Sequence, residues 1–395
     1  MNAPLPNIFA EAAQSDPRSL PDWLGKRRAD AVATLRAQGV PHRRVEEWKY
    51  TDLKTALEPA NDGIAATAAW SIEKVPPGVT LFDLADLSAA PDWVRAHFGK
   101  AASAESVPAA SLALAHGGLA LHVPRNVSVG EEVNVKFSAN GHVRALIVLE
   151  DGAELTLIEN QSADGSFRNT GVEIVVGASA KLTHIRFTEA ATKAVQIEDV
   201  AVRVARGARY RAHLFNAGAE LSRLTLRMTL KELGASAELS GVSVLGGQLH
   251  ADVTTHVYHA AGETQSVQLF KHVAGGRSRA VYQGKITVAK GADKSDSRQT
   301  AKALLLGERA EADLKPELEI FADDVKCAHG AAVGDLDADS LFYLRARGIP
   351  EQEARNMLLR AFLREAVDGI ENEAVRDTVW QSVEAALPRA IMSAL

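Results

Sequence analysis

The chain has 395 residues, 46% of them apolar and 24% charged, so it can bury a sizeable core and disorder is excluded as its main state. Lys and Arg number 44 against 50 Asp and Glu, and the net charge of −6 provides no broad positive field for nucleic acid or an anionic membrane. A single cysteine, Cys327, excludes an intrachain disulfide and any multi-cysteine metal site built from one copy.

No run approaches the roughly 18 consecutive apolar residues that span a bilayer, and the opening residues 1–7 lack the basic-to-apolar progression of a secretory leader. A cytoplasmic protein is expected. Between Pro21 and Gly39 the spacing of Leu24, Arg28, Ala31, Val32 and Leu35 predicts a helix, with Asp22 as its cap and Gly39 and Pro41 as its stop. The basic clusters Arg27–Arg28 and Arg43–Arg44, followed at once by Glu46 and Glu47, read as solvated helical faces. With Pro76-Pro77-Gly78, alanine-rich segments and a short helix over Asp92–Phe98, residues 1–105 read as an irregular, mainly helical N-terminal domain.

From about Leu119 the apolar period becomes two, as in Glu132–Phe137, Ala145–Leu149 and Glu154–Ile158, which predicts short strands. A small-residue pair recurs before such alternation at Gly152, Gly177, Gly207, Gly234 and Gly291, with gaps of 25, 30, 27 and 57 residues. Periods of this size belong to stacked architectures, and a parallel β-helix over residues 106–335 fits best. Its narrow interior suits the aromatic content of 5%. A propeller would need blade signatures that are absent.

Residues 336–395 return to helical spacing. Asp339 or Ser340 can cap Leu341–Arg347, Gly348 ends that helix, and Pro350 opens the next. Ala354, Met357, Leu358, Ala361, Phe362 and Ala366 form one apolar stripe, and Val375, Val379, Val383 and Leu387 another. Both read first as core, but a stripe at the end of a stacked domain can also serve a second protein.

Phosphate-loop and dinucleotide signatures are missing, as are the common hydrolase and zinc motifs, so nucleotide hydrolysis by this chain is not expected. The informative pair is Cys327 and His329. On a strand, residues two apart share a face about 6.6 Å apart, so both could address one metal, of the iron–sulfur, zinc or copper kind. On the residues alone a buried free cysteine beside a hydrogen-bonded histidine is the plainer reading, and a lone pair needs further ligands from a second chain. Asp323 and Asp324 read as turn residues. Among His250, His256, His259 and His272, alternation puts His250 and His256 on one face and turns His259 away, which disfavours one three-histidine site; Tyr258 and Tyr282 read as strand packing.

Three segments carry a resemblance: Ser297-Arg-Gln-Thr-Ala-Lys-Ala-Leu-Leu-Leu-Gly, the stretch from Ala312 through Cys327-Ala-His-Gly-Ala, and Leu341-Phe-Tyr-Leu-Arg-Ala-Arg-Gly-Ile. With Glu47-Trp-Lys-Tyr-Thr-Asp-Leu near the N-terminus, they resemble the SufB/SufD family of iron–sulfur cluster assembly proteins. The chain looks like the SufD branch, since it lacks the additional cysteines of SufB and has Gly330 where SufB carries a glutamate after the histidine.

The resemblance implies a mainly β fold, a right-handed parallel β-helix between helical ends. It implies a non-catalytic scaffold that pairs with SufB through the β-helix and anchors the ATPase SufC on its C-terminal helices, at Leu341, Phe342, Tyr343, Met357, Leu358 and Phe362. Cys327 and His329 would then lie at the SufB interface and contribute to a transient iron–sulfur cluster, with no cofactor held permanently by this chain. Reduced flavin in the complex and a homodimer of the isolated chain are further implications. ATP-driven closure of SufC would reshape the β-helix interface. Two other readings stand beside it: a β-helix enzyme acting on polysaccharide, and an inert structural binding module.

Overall fold

The computed structural model describes Phe9 and residues 21–57, 67–101, 105–115, 117–161, 167–189 and 191–393. The residue 1–7 stretch lies outside them. From Gly118 onward the strands alternate between two faces of a parallel β-solenoid of about seven turns. One face stacks Glu154–Gln161, Lys181–Thr188, Arg209–Asn216, Ser236–Leu245, Gln265–Ala274, Asp296–Leu305 and Lys326–Gly334. The other runs from Gly118–Val123 to Arg279–Val288 and Glu311–Ile320. The two predicted strands Glu132–Phe137 and Ala145–Leu149 are parts of one, Val133–Leu149, whose first residues pair on the first face and whose residues from Gly141 on pair on the second.

Successive strands of the first face are offset by 27 to 31 residues, so the repeat in the sequence is the length of one coil. Its physical marker is the corner residue two positions before each strand. Gly152, Gly207 and Gly234 take φ of 70, 61 and 71° there, a region closed to most side chains. In the other coils Ser179, Glu263 and Lys294 occupy the same corner with φ of 57 to 61°. Gly177 and Gly291, expected to belong to this series, stand two and three residues out of register with it.

Alternation then sorts the side chains. Leu155, Leu157, Val172, Ile174, Val200, Leu226 and Tyr282 face the lumen and form the main core, while Ile185, Phe187, Phe215, Val242 and Val244 face outward beneath the C-terminal helices. Among those helices Glu351–Val367 buries Ala354, Leu359, Leu363, Ala366 and Val367. The predicted stripe is thus displaced: Met357 is exposed and Leu358 and Phe362 are half-buried. In Glu373–Met392 the predicted Val375, Val379, Val383 and Leu387 are all buried. The preceding helix, Ala338–Ala346, starts earlier than expected because Asp337, and neither Asp339 nor Ser340, caps it by accepting from the Ser340 amide.

At the other end, the Asp22–Gln38 helix buries Leu24, Arg28, Ala31 and Leu35, as its spacing predicts. Asp22 is not its cap; Pro21 takes that position, leaving Asp22 in the first turn near the positive end of the helix dipole. The Glu47-Trp-Lys-Tyr-Thr segment fastens this region to the solenoid. The Arg223 guanidinium lies 4.1 Å from the Trp48 ring and pairs with Asp252 at 2.7 Å, and Thr51 donates to the same Asp252 carboxylate at 2.5 Å. All four are buried, so the carboxylate and guanidinium satisfy each other where water is excluded.

Candidate functional site

The two ends of the solenoid are built differently. At the start, Thr67–Ile72 pairs antiparallel with Val133–Leu149, and Thr80–Asp83 pairs antiparallel with Gly118–Val123, so both faces have their first edge covered. At the finish, Lys326–Gly334 and Glu311–Ile320 each pair with one preceding strand of their own face. Their outer edges carry unpaired backbone groups among the described residues, and a bare edge of this length is a template for another strand. Nearly every residue of Lys326–Gly334 is exposed, as are the apolar Ile320, Phe321 and Val333 around it.

Cys327 and His329 sit on this last coil. Their register partners Ser297 and Gln299 are buried lumen residues, so both side chains share the inward face of the terminal strand, as the two-residue spacing predicts. Cys327 packs against the end of the main core and is half-buried, whereas His329 is exposed. Burial and the neighbouring Asp296 charge push the Cys327 thiol above its ordinary value, against the pull of a hydrogen bond from the Ser297 backbone. It is therefore a protonated thiol until a metal or an electrophile displaces the proton. Gly330, next along, has open space around it and contributes no ligating atom.

Among the described residues no three His, Cys, Asp or Glu side chains converge to hold a metal. A thiol and an imidazole on an open edge can supply at most part of a four-ligand shell, and the remainder has to come from outside the chain. Asp323 and Asp324 lie in the bend before the strand and not in a catalytic pair. The four histidines of the second cluster separate as alternation predicts. His250 lies 3.3 Å from the Thr51 hydroxyl and His259 reaches Thr264 and Ser266 at 2.8 and 3.0 Å, while His272 is wholly buried in the lumen. Burial holds all of these, and His256, down to about 4, so they are neutral structural groups. Tyr282 packs in the lumen, but Tyr258 is 43% exposed.

A cleft of about 400 Å³ on the second face is lined by Glu46, Glu47, Glu105, Glu317 and Glu319, the kind of carboxylate groove that a polysaccharide enzyme would use. Two of these carboxylates are paired with lysines of the cleft itself. Glu46 meets Lys315 and Glu319 meets Lys285, each at 2.7 Å, and these hydrogen bonds lower both acids, the reverse of what a general acid requires. At the C-terminal end, Phe342 and Tyr343 are 73 and 57% exposed, Leu341 is half-buried, and Met357 lies open on the next helix. Beside them Leu306, Leu336, Leu359 and Ile391 floor a cavity of about 460 Å³ with Glu351, Gln352 and Arg355 among its lining. Phe362 is engaged internally, its ring 4.4 Å from the Lys271 ammonium, which also pairs with Glu365.

Sequence reading passed over the residues under the last coil. Strand parity alone places Gln299 on the face of Cys327 and His329, and one coil earlier it places Gln268 there too. Gln299 Nε2 donates to the Tyr282 hydroxyl at 2.8 Å, and that hydroxyl and Thr255 both donate to Gln268 Oε1, at 3.2 and 2.8 Å.

No helix of the chain, among the described residues, is long and apolar enough to cross a membrane. Residues 133–362 match the SufBD core domain of the SUF iron–sulfur cluster assembly system, and residues 2–66 match the SufBD N-terminal region. An iron–sulfur cluster assembly SufBD family protein of Synechocystis is 28% identical over 406 residues, covering 90% of this chain and 88% of that protein. The iron–sulfur cluster assembly protein SufD of Escherichia coli is 34% identical over 273 residues, covering 68% of this chain and 63% of that one. SufD of Bacillus subtilis is 29% identical over 286 residues, with 69 and 64% covered. With its solenoid core and its N-terminal region both matched, the chain belongs to the SufBD family of iron–sulfur cluster assembly proteins, on the side of its SufD members.

Proposed function

We propose that the chain is a non-catalytic scaffold subunit that completes its solenoid by joining the edge of a SufB partner in the cytoplasm. The observation that carries this is the asymmetry of the two ends: short antiparallel strands of six and four residues cap the start, whereas the finish is two uncapped parallel strands of ten and nine residues, with Cys327 and His329 on the last of them. Edge-to-edge pairing would satisfy the unpaired backbone groups and enclose both side chains beside ligands of the partner. A nascent iron–sulfur cluster is the cargo of that interface. His329 supplies an imidazole to it, Cys327 a thiolate once ligation has displaced its proton, and SufB the remaining thiolate. The cluster is passed on and stays with no chain permanently. When SufB is absent, the same edge supports a homodimer.

The exposed Phe342, Tyr343 and Met357, with half-buried Leu341 and Leu358, form the docking surface for the ATPase SufC. Glu365 and Phe362 tie the Glu351–Val367 helix to Lys271 on Gln265–Ala274, two coils below the bare edge. A movement of the docked helices is thereby carried to the cluster interface. Reduced flavin, where the complex uses it, is a property of the assembly.

The test is anaerobic reconstitution of the co-expressed SufB–SufC–SufD-type complex with this chain wild type or His329→Ala. Loss of iron and sulfide from an intact complex is the expected result. Normal cluster content would leave the chain a structural partner and ATPase anchor only.

A further inference from the structure

We infer that Gln299 is the positioning residue of His329: its side-chain oxygen accepts a hydrogen bond from one imidazole N–H and leaves the other nitrogen free to ligate the cargo metal. This rests on the reading of His329 as a cluster ligand given above.

Gln299 is the register partner of His329 on the adjacent strand, and both lie on the lumen-facing side. Parallel neighbours on one face stand about 4.8 Å apart, which brings an amide and an imidazole within hydrogen-bond reach. Gln299 is 1% exposed and its Oε1 has no partner among the described residues. A buried acceptor without a donor is costly, so this oxygen is open to a donor brought up beside it.

The orientation of that amide is fixed from below. Thr255 donates to Gln268 Oε1, the Tyr282 hydroxyl donates to the same oxygen, and the hydroxyl is then left to accept from Gln299 Nε2. This one-way chain commits the nitrogen of Gln299 downward and turns its oxygen away from Tyr282. Space for the arrangement is kept by Gly284, where a Cβ atom would collide with the Gln299 amide and lie 2.6 Å from the Tyr282 hydroxyl. His329 is the nearest side chain above Gln299 in the column that carries a movable N–H donor. A histidine that ligates a metal generally donates its second ring N–H to an oxygen, which sets its tautomer and its aim.

The experiment uses the full chain labelled with ¹⁵N-histidine, read by long-range nitrogen–proton spectra, with the His329 signals assigned through His329→Gln. In the wild type His329 is expected in one dominant tautomer. Gln299→Leu should return it to the mixture of a free imidazole, while Gln299→Glu should retain the single tautomer. A His329 tautomer ratio identical in wild type and Gln299→Leu overturns the proposal. Gln299→Met gives the same comparison should the leucine variant fail to fold. In the reconstituted complex, Gln299→Leu should lower iron and sulfide several-fold and Gln299→Glu should restore most of it. If His329→Ala loses the cluster and Gln299→Leu keeps it, the positioning role fails alone; if His329→Ala keeps the cluster, the ligand reading fails with it.

Discussion

The lumen of the solenoid holds two polar regions, and they differ in charge. In the early coils Glu159, His184, Arg186, Glu198 and Arg168 form a buried charged network: Arg186 lies 2.9 Å from Glu159 and 2.5 Å from Glu198, and His184 3.0 Å from Glu159. Burial works against the Glu159 charge, but Arg186, His184 and Gln161 outweigh it and hold the acid at about 2. Charges occur there in compensating pairs, beneath an edge that is already covered. Toward the last coils the lumen groups are neutral; unpartnered buried atoms occur in both regions among the described residues, Gln161 Oε1 and Arg186 Nε in the early coils and Gln268 Nε2, Gln299 Oε1 and both nitrogens of His272 in the later ones. The closed end carries compensated charge in its lumen, and the open end, among the described residues, carries none.

The largest effect should come from breaking the closed network. Arg186→Met removes the guanidinium that bridges Glu159 and Glu198, leaving Glu159 with His184 and Glu198 with Arg168, and removing one partner of a buried ion pair typically costs about 3–5 kcal/mol. Denaturant unfolding should show that loss. A cost near zero would mean that the network is solvated and that the contrast between the two ends is wrong.

Acid should separate the regions next. Burial keeps His259 and His272 at about 4, whereas an unfolded histidine titrates near 6.5, so the unfolded chain takes up protons that the folded one refuses. Their contribution to stability is complete above pH 6.5 and falls away as the pH drops toward 4, by up to about 3 kcal/mol for each. Glu159, held low, loses its share only between about pH 4.5 and 2. His272→Leu should make the upper window shallower by that one histidine's share, with His250, His256 and His259 keeping theirs, and leave the lower window as it is. An unchanged slope between pH 6.5 and 4 in that variant would show that His272 is not desolvated.

These contrasts bear on what could be read from the sequence. Coil length, the C-terminal helices and the shared face of Cys327 and His329 were legible, because each follows from a period of 2, 3.6 or about 28 residues that one sequence displays. The corner residue was legible only where it is glycine. Ser179, Glu263 and Lys294 adopt the same φ without announcing it. The buried helix face stands about one position from the one the spacing predicts, since Met357 and Leu359 are equally apolar and the packing partner that distinguishes them is not in the local sequence. The closed network escaped notice altogether. Glu159, Arg186 and Glu198 look like surface charges until strand parity and the coil offset are applied together, which brings residues 12 to 39 apart in sequence into one layer of the lumen.

The smallest effect on the fold should be the most damaging to assembly. Val333 lies on the last strand, 46% exposed, and makes no part of the buried core. Val333→Lys should therefore change unfolding stability by no more than about 0.5 kcal/mol, as surface substitutions do. A lysine on an edge strand is nonetheless a strong block to strand addition, because pairing would bury its ammonium without a counter-charge. Sedimentation of the purified chain with its partner should show association weakened at least tenfold while the monomer stays folded. If Val333→Lys instead lowers stability as much as Arg186→Met, the last coil is part of the chain's own core, and an interface built on it has to be abandoned.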